Sequence, residues 1–154
     1  MRQRALIVDD EREARRRLAR LLSRHSSHID LAGEAVDGPT AVDAIHNLEP
    51  DLVFLDIEMP GLDGFGVLDS LPQEEWPLVI FATAYDQYAI RAFEVHALDY
   101  LLKPITQQRL DACLSRLQTI EPGTHRNRLH GLSEKRRVER GSHRSCAGLY
   151  RSGC

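Results

Sequence analysis

The sequence predicts an α/β fold in which five parallel strands form one doubly wound sheet. Short apolar segments rich in β-branched residues alternate five times with amphipathic segments. Strands that are joined by helices run parallel, and the helices then cover both faces of the sheet. The length of 154 residues suffices for one sizeable core but not for two ordinary domains.

The strands and helices are predicted in strict alternation along the chain. Strands are expected at 5–8, 29–36, 52–55, 78–82 and 98–102, and helices at 12–25, 39–48, 64–71, 87–95 and 107–120. The last helix is predicted to begin after Thr106 as its N-cap. Its apolar residues then recur at helical spacing, which predicts a buried stripe made of Leu110, Cys113, Leu114 and Leu117.

Charge is distributed unevenly between two parts of the chain. The net charge of the whole chain is -3, but residues 122–154 hold eight Lys and Arg and two Asp and Glu, which makes 1–121 acidic. Residues 122–154 also lack an apolar period, so we expect one domain over 1–121 and a basic, disordered tail without a DNA-binding domain. Because composition changes abruptly, the tail is hypothesised to be an out-of-frame or cloning-derived translation. We expect no DNA binding by this chain itself.

Several classes of protein are not favoured by the sequence. Its three cysteines have no zinc-type spacing, which is typical of reduced thiols in the cytoplasm. The apolar run near the N-terminus is too short for a signal peptide. The longest nearly apolar run, 78–85, is far below the roughly 18 residues that a membrane helix needs. We therefore expect a cytoplasmic protein that does not interact with membranes.

Polar residues stand where the predicted strands end. Asp9 and Asp10 follow the first strand, Asp56 the third, Thr83 closes the fourth and Lys103 follows the fifth. In an open parallel sheet, the loops at the carboxyl ends of the strands form the ligand crevice. Converging carboxylates repel one another, and a divalent cation resolves this conflict. Mg²⁺ suits such oxygen ligands, and the lysine and threonine could bind phosphoryl oxygens.

Each of these residues also has an ordinary structural interpretation. Asp9 and Asp10 could cap the first helix, because carboxylates are favourable at helix N-termini. Thr83 could be a plain strand residue, and Lys103 could be a surface lysine. Their joint occurrence at strand ends favours a functional site.

Four motifs carry a resemblance to a known family. IVDDE at 7–11, LDIEMPGLDG at 55–64, ATA at 82–84 and YLLKP at 100–104 closely resemble the receiver domains of bacterial two-component response regulators. The resemblance spans residues 4 to 120 and implies the flavodoxin-like receiver fold. Residues 83–100 resemble receivers attached to LytTR-type DNA-binding domains, which implies transcription regulation as the output.

The resemblance assigns roles to individual residues. Asp56 would accept a phosphoryl group from a sensor histidine kinase. Asp10, Asp56 and the backbone carbonyl of Glu58 would bind Mg²⁺ directly, and Asp9 would act mainly through water. The chain would then be a switch that catalyses its own phosphorylation, not a turnover enzyme.

Further roles follow from the same resemblance for the conformational change. Lys103 would hold the phosphoryl group, Thr83 would move toward it, and Tyr100 would turn inward. The bond between Lys103 and Pro104 is expected to be cis. The face formed by the fourth helix, fifth strand and fifth helix is the expected homodimer interface, and it contains Tyr88, Arg91, His96 and Asp99.

Two other functions remain as alternatives. A haloacid dehalogenase-like phosphohydrolase also combines Asp, Mg²⁺, Thr and Lys, but its nucleophile lies in a DxD motif after the first strand. Here Asp9 and Asp10 are adjacent, and the isolated Asp56 follows the third strand. The second alternative is a degenerate receiver that serves only as an interaction module, although all five site residues are present.

Overall fold

A computed structural model of the protein describes residues 2–119. The strands are β1 (Gln3–Val8), β2 (Ile29–Ala35), β3 (Leu52–Leu55), β4 (Leu78–Thr83) and β5 (Asp99–Leu102). The helices are α1 (Arg12–Leu22), α2 (Gly38–Leu48), α3 (Gly64–Asp69), α4 (Ala89–Glu94) and α5 (Gln107–Gln118), with short 3₁₀ helices at Ser23–His25 and Gln73–Glu75. The predicted tail over 122–154 lies outside the described residues.

The five strands form one parallel sheet in the order β2-β1-β3-β4-β5. This order is that of the flavodoxin-like doubly wound fold, so the predicted fold class is confirmed. The chain reverses its direction of travel across the sheet between β1 and β3. In such sheets the ligand crevice forms outside the carboxyl ends of the strands at this switch point.

The sheet separates two apolar layers, because alternate strand residues point to opposite faces. One layer packs against α2, α3 and α4, and its strand residues include Leu6, Val53, Leu55, Val79 and Phe81. The other packs against α1 and α5, and it includes Ala5, Ile7, Phe54, Ile80 and Leu101. Strands covered on both faces explain the continuous apolar runs of the sequence.

Most helices begin within one residue of the predicted start, but α1 and α3 end three and two residues earlier than predicted. Thr106 caps α5 by accepting a hydrogen bond of 3.1 Å from the backbone N–H of Arg109. The predicted stripe of that helix is buried, including Cys113. Helix α4 is shorter than the predicted 87–95: it begins at Ala89 after Tyr88 as its N-cap, and it ends at Glu94, before the chain turns at His96 with a φ of 64°. The Lys103–Pro104 bond is cis, as predicted.

Asp99, at the start of β5, connects that strand to α5. Its carboxylate accepts hydrogen bonds from Arg109 at 2.7 Å and from Arg116 at 3.1 Å. Burial alone would raise the pKa of Asp99, but the hydrogen bonds from Arg109 and Tyr100 and the nearby positive charges lower it. The carboxylate therefore stays ionised and anchors the last helix to the edge of the sheet.

Gly64 lets α3 begin close to the end of β3. Its N–H donates to the carbonyl of Ile57 at 2.8 Å, and a Cβ at this position would lie 2.4 Å from the carbonyl oxygen of Asp56. Only glycine fits so near a neighbouring backbone. Asp63 caps the same helix by accepting from the N–H of Gly66 at 2.8 Å. This turn therefore sets where the loop after Asp56 can run.

Among residues 2–119, no helix combines enough length with enough apolar character to cross a bilayer.

Candidate functional site

Three carboxylates meet at the carboxyl ends of β1 and β3. The N–H of Asp56 donates to the carbonyl of Val8 at 2.9 Å, and that of Asp9 donates to Ala35 at 3.1 Å. These bonds continue the sheet beyond its last paired residues and fix the two backbones. Asp9, Asp10 and Asp56 each place a carboxylate oxygen within 4.8 Å of the other two. Asp9 and Asp56 are 4% and 5% exposed, whereas Asp10 is open to solvent.

Lys103 supplies positive charge to this cluster. Its Nζ lies 2.7 Å from Asp9 and 3.5 Å from Asp56, and its backbone N–H donates to the carbonyl of Thr83 at 2.8 Å. Burial lowers the pKa of Lys103, but the hydrogen bond to Asp9 and the charges of the nearby carboxylates together raise it by more. The pKa of Lys103 is therefore above its ordinary value. One ammonium group therefore faces three carboxylates and leaves an excess of negative charge.

The carboxyl group of Asp56 binds a proton more tightly than an ordinary aspartate, chiefly because it is buried. Burial raises the pKa of its carboxyl group to about 6, with the charge of Asp9 acting in the same direction. Lys103 opposes the change, as does the N–H of Ile57, which donates to Asp56 at 2.8 Å. A carboxyl group with a raised pKa in a strand-end crevice is typical of a functional site.

The cluster fits a small divalent cation. Carboxylate oxygens are the ligands that Mg²⁺ prefers, and Mg²⁺ commonly binds through one or two carboxylates while keeping several waters. The exposed side chain of Asp10 leaves the cluster open to solvent on one side. A cation would also offset the negative charge that Lys103 leaves uncompensated. The predicted contribution of the Glu58 carbonyl stays a prediction, and the side chain of Glu58 is exposed.

Thr83 and Tyr100 both bind the backbone of Tyr85. Thr83 is fully buried at the end of β4, and its hydroxyl accepts from the N–H of Tyr85 at 3.3 Å. Tyr100 packs on Phe81 with ring centroids 6.4 Å apart, and its hydroxyl donates to the carbonyl of Tyr85. The two residues predicted to change conformation therefore hold the same loop.

Two residues that contact the site were not assigned to it from the sequence. Glu11 places a carboxylate oxygen 3.9 Å from Nζ of Lys103, and its position directly after Asp10 could have indicated this. Tyr88 donates a hydrogen bond from its hydroxyl to Glu58, a contact across 30 positions. No sequence spacing indicates the second contact, because it depends on how the loop before α4 folds.

The raised pKa of Asp56 predicts a pH-dependent stability when metal is removed with a chelator. The pKa is near 4 in the unfolded chain and about 6 in the folded protein, so the free energy of unfolding falls as pH rises through this window. Asp56→Asn removes the effect. We expect the variant to be more stable by about 1 to 2 kcal/mol at about pH 7.5, with little difference at about pH 3.5, below the pKa of the unfolded chain.

Urea unfolding at both pH values measures this difference. If the variant is less stable than the unsubstituted protein at the higher pH, burial of the ionised Asp56 carboxylate does not destabilise the fold and the prediction is wrong.

A family model described as the response regulator receiver domain matches residues 5–115. The transcriptional regulatory protein BtsR of Salmonella typhi is 48% identical over 113 residues, which are 73% of this chain and 47% of that protein. An uncharacterized response regulatory protein of Vibrio cholerae serotype O1 is 49% identical with the same coverage. The chain thus spans about half the length of the curated relatives it matches.

Solved structures agree with the sequence comparison. The response regulatory domain of mrkE from Klebsiella pneumoniae has a TM-score of 0.67 and 33% identity, with 75% of this chain and 95% of that chain covered. The receiver domain of AraT from Geobacillus stearothermophilus has a TM-score of 0.68 and 29% identity, with 77% and 95% covered. Since the family match covers more than half of the chain, this protein belongs to the response regulator receiver domain family.

Proposed function

We propose that the chain is a phosphoacceptor switch in which Asp56 takes a phosphoryl group from a sensor histidine kinase. The observation that carries this proposal is the position of the Asp56 carboxylate. It is nearly buried at the end of β3, 3.5 Å from the ammonium group of Lys103 and beside Asp9 and Asp10. This arrangement favours the receiver over the phosphohydrolase alternative, whose nucleophile follows the first strand.

The proposed reaction needs no general base, because an ionised carboxylate is already a nucleophile. A carboxylate oxygen of Asp56 attacks the phosphorus atom of a phosphohistidine, and the bond from phosphorus to the imidazole nitrogen breaks. The imidazole leaves with the electron pair, and Asp56 becomes an acyl phosphate. Lys103 stabilises the negative charge on the phosphoryl oxygens. Positioning and charge neutralisation account for most of the catalysis in such transfers.

Mg²⁺ is the proposed cofactor of this step. Asp10, Asp56 and the backbone carbonyl of Glu58 would bind it directly, and Asp9 would bind it mainly through water. When bound, the ion neutralises charge on the phosphoryl oxygens. The protein's own contribution is to hold the three carboxylates together with Lys103 before the donor arrives.

The conformational change that would follow phosphorylation involves the residues that hold the loop before α4. Thr83 and Tyr100 both bind the backbone of Tyr85. A phosphoryl oxygen that attracts the Thr83 hydroxyl would compete with the N–H of Tyr85, and Tyr100 would then be free to turn inward. A shift from a rare to a dominant active conformer needs about 5.5 kcal/mol of such preferential contact.

We further propose that this switch belongs to a regulator of the LytTR type that controls transcription. The segment 83–100 supports this assignment, and so does the relative that carries the name transcriptional regulatory protein. The histidine kinase is proposed as its phosphoryl donor in the cytoplasm. Receiver domains of transcriptional response regulators are signalling switches, and we propose the same for this chain instead of a turnover enzyme.

A homodimer through α4, β5 and α5 is the proposed active assembly. Of the residues expected at this face, Tyr88 donates to Glu58, Arg91 covers the ring of Phe65, and Asp99 binds Arg109. These three side chains therefore have partners within the chain. Exposed apolar residues on α4 support the interface better, namely Ile90 and Phe93, which are 76% and 82% exposed.

Binding of Mg²⁺ is expected to stabilise the fold through Asp10. At a concentration about tenfold above the dissociation constant, Mg²⁺ should raise the melting temperature by roughly 3 to 8 °C. Asp10→Asn should lose most of this shift, because it removes a proposed ligand. Asp43→Asn is the matched control, since Asp43 is exposed on α2. Equal shifts in the two variants would exclude Asp10 as a ligand.

Phosphorylation is expected on Asp56 alone. With acetyl phosphate and Mg²⁺, intact-mass measurement should detect one stable phosphoryl group, which is absent in Asp56→Asn and formed roughly 10²-fold more slowly in Lys103→Ala. Rapid multiple-turnover release of phosphate would favour the phosphohydrolase alternative. No phosphorylation at all, with unchanged tyrosine and tryptophan fluorescence on addition of Mg²⁺, would favour the degenerate receiver.

Dimerisation is expected to depend on Phe93. With beryllofluoride and Mg²⁺, light scattering should detect a dimer that Phe93→Asp prevents, because a charge would be buried in an apolar interface. Val36→Asp is the control, since Val36 is 46% exposed after β2 and away from this face. A monomer with and without beryllofluoride would contradict the proposed assembly.

A further inference from the structure

Tyr88 makes a contact that the proposed chemistry does not use. Its hydroxyl donates a hydrogen bond to Oε2 of Glu58. Glu58 lies two residues after Asp56, and Tyr88 is the residue before α4. The hydrogen bond to Glu58 raises the pKa of Tyr88, so the hydroxyl keeps its proton and remains a donor. The bond thus joins the loop of the phosphoacceptor to the start of helix α4.

Aromatic neighbours fix the Tyr88 side chain. Its ring lies 6.2 Å from that of Phe65, which lies 5.0 Å from Phe81. Phe81 lies 6.4 Å from Tyr100, whose hydroxyl donates to the backbone of Tyr85. The Tyr85 ring returns to Tyr88 at 6.5 Å, edge to face. These distances are in the favoured range for aromatic pairs, so Tyr88 is supported on two sides.

A free Glu58 carboxylate would add negative charge near the phosphorylation site. Asp56 already has Asp9 and Asp10 as neighbours, and Lys103 is the ammonium group within 4 Å of it among residues 2–119. A phosphoryl donor is itself anionic, so each further negative charge near Asp56 disfavours its approach. Glu58 is exposed, and a glutamate without a partner samples several rotamers. Its bond to Tyr88 restricts this carboxylate to the side of α4.

We infer that Tyr88 is a positioning residue that holds the Glu58 carboxylate away from the incoming phosphoryl donor, and thereby sets the rate at which Asp56 is phosphorylated. This inference rests on the proposed function. Tyr88 touches neither the donor nor Asp56, and its effect is transmitted through the charge of Glu58. Removal of that charge should therefore make the Tyr88 hydroxyl dispensable.

A double-mutant cycle tests the inference with phosphoramidate as the donor, Mg²⁺ present and intact mass as the readout. Tyr88→Phe should slow the phosphorylation of Asp56 by roughly three- to tenfold, because it releases a charged carboxylate near the site. Glu58→Gln keeps an acceptor for the hydroxyl but removes the charge. The double variant Tyr88→Phe with Glu58→Gln should return to within about twofold of Glu58→Gln alone.

The matched control combines Tyr88→Phe with Glu94→Gln, which neutralises an exposed carboxylate on α4 instead. This variant should remain as slow as Tyr88→Phe. Three results would overturn this inference but not the proposed function. They are an unchanged or faster rate in Tyr88→Phe, a double variant with Glu58→Gln that stays slow, and a rate restored by Glu94→Gln. Absence of a phosphoryl group on Asp56 in the unsubstituted protein would overturn the proposed function as well.

Discussion

The ion pairs that Lys103 makes with Asp9 and Asp56 connect the ends of three strands. Each carboxylate is nearly buried, and a buried charge is costly unless it is paired and hydrogen-bonded. The ammonium group supplies that pairing from the loop after β5 to the ends of β1 and β3. The site therefore also ties the ends of three strands together. The excess negative charge that would attract a cation also lowers the stability of the folded protein when no cation is bound.

Much of the fold was predictable because its signals are local. Strands covered on both faces must be apolar throughout, and the lengths of the runs distinguish them from helices. The site was predictable for a related reason, since parallel strands bring their carboxyl ends to one edge, and Asp9, Asp10, Asp56 and Lys103 each follow a strand. The position of a residue in the chain thus sufficed to locate it in the site.

Contacts that depend on loop geometry were not predictable in the same way. The bond from Tyr88 to Glu58 requires the particular path of the chain before α4, and a short helix has too few turns for a periodic signal. The face expected to form a dimer illustrates the same limit. Asp99 is expected there from the family resemblance, and the sequence did not indicate that its carboxylate binds two arginines of α5 within the chain.

Gly64 has a consequence for how the molecule could deform. The α3 backbone approaches the carbonyl of Asp56 so closely that no side-chain atom fits between them. No free space remains between groups packed this closely, so a displacement of one backbone must displace the other. Helix α3 and the peptide of Asp56 are therefore in direct backbone contact, whereas the loop before α4 is held by hydrogen bonds of Thr83, Tyr100 and Tyr88. A displacement of Asp56 is therefore expected to pass to α3 by direct backbone contact, and to the loop before α4 only through hydrogen bonds that can exchange partners.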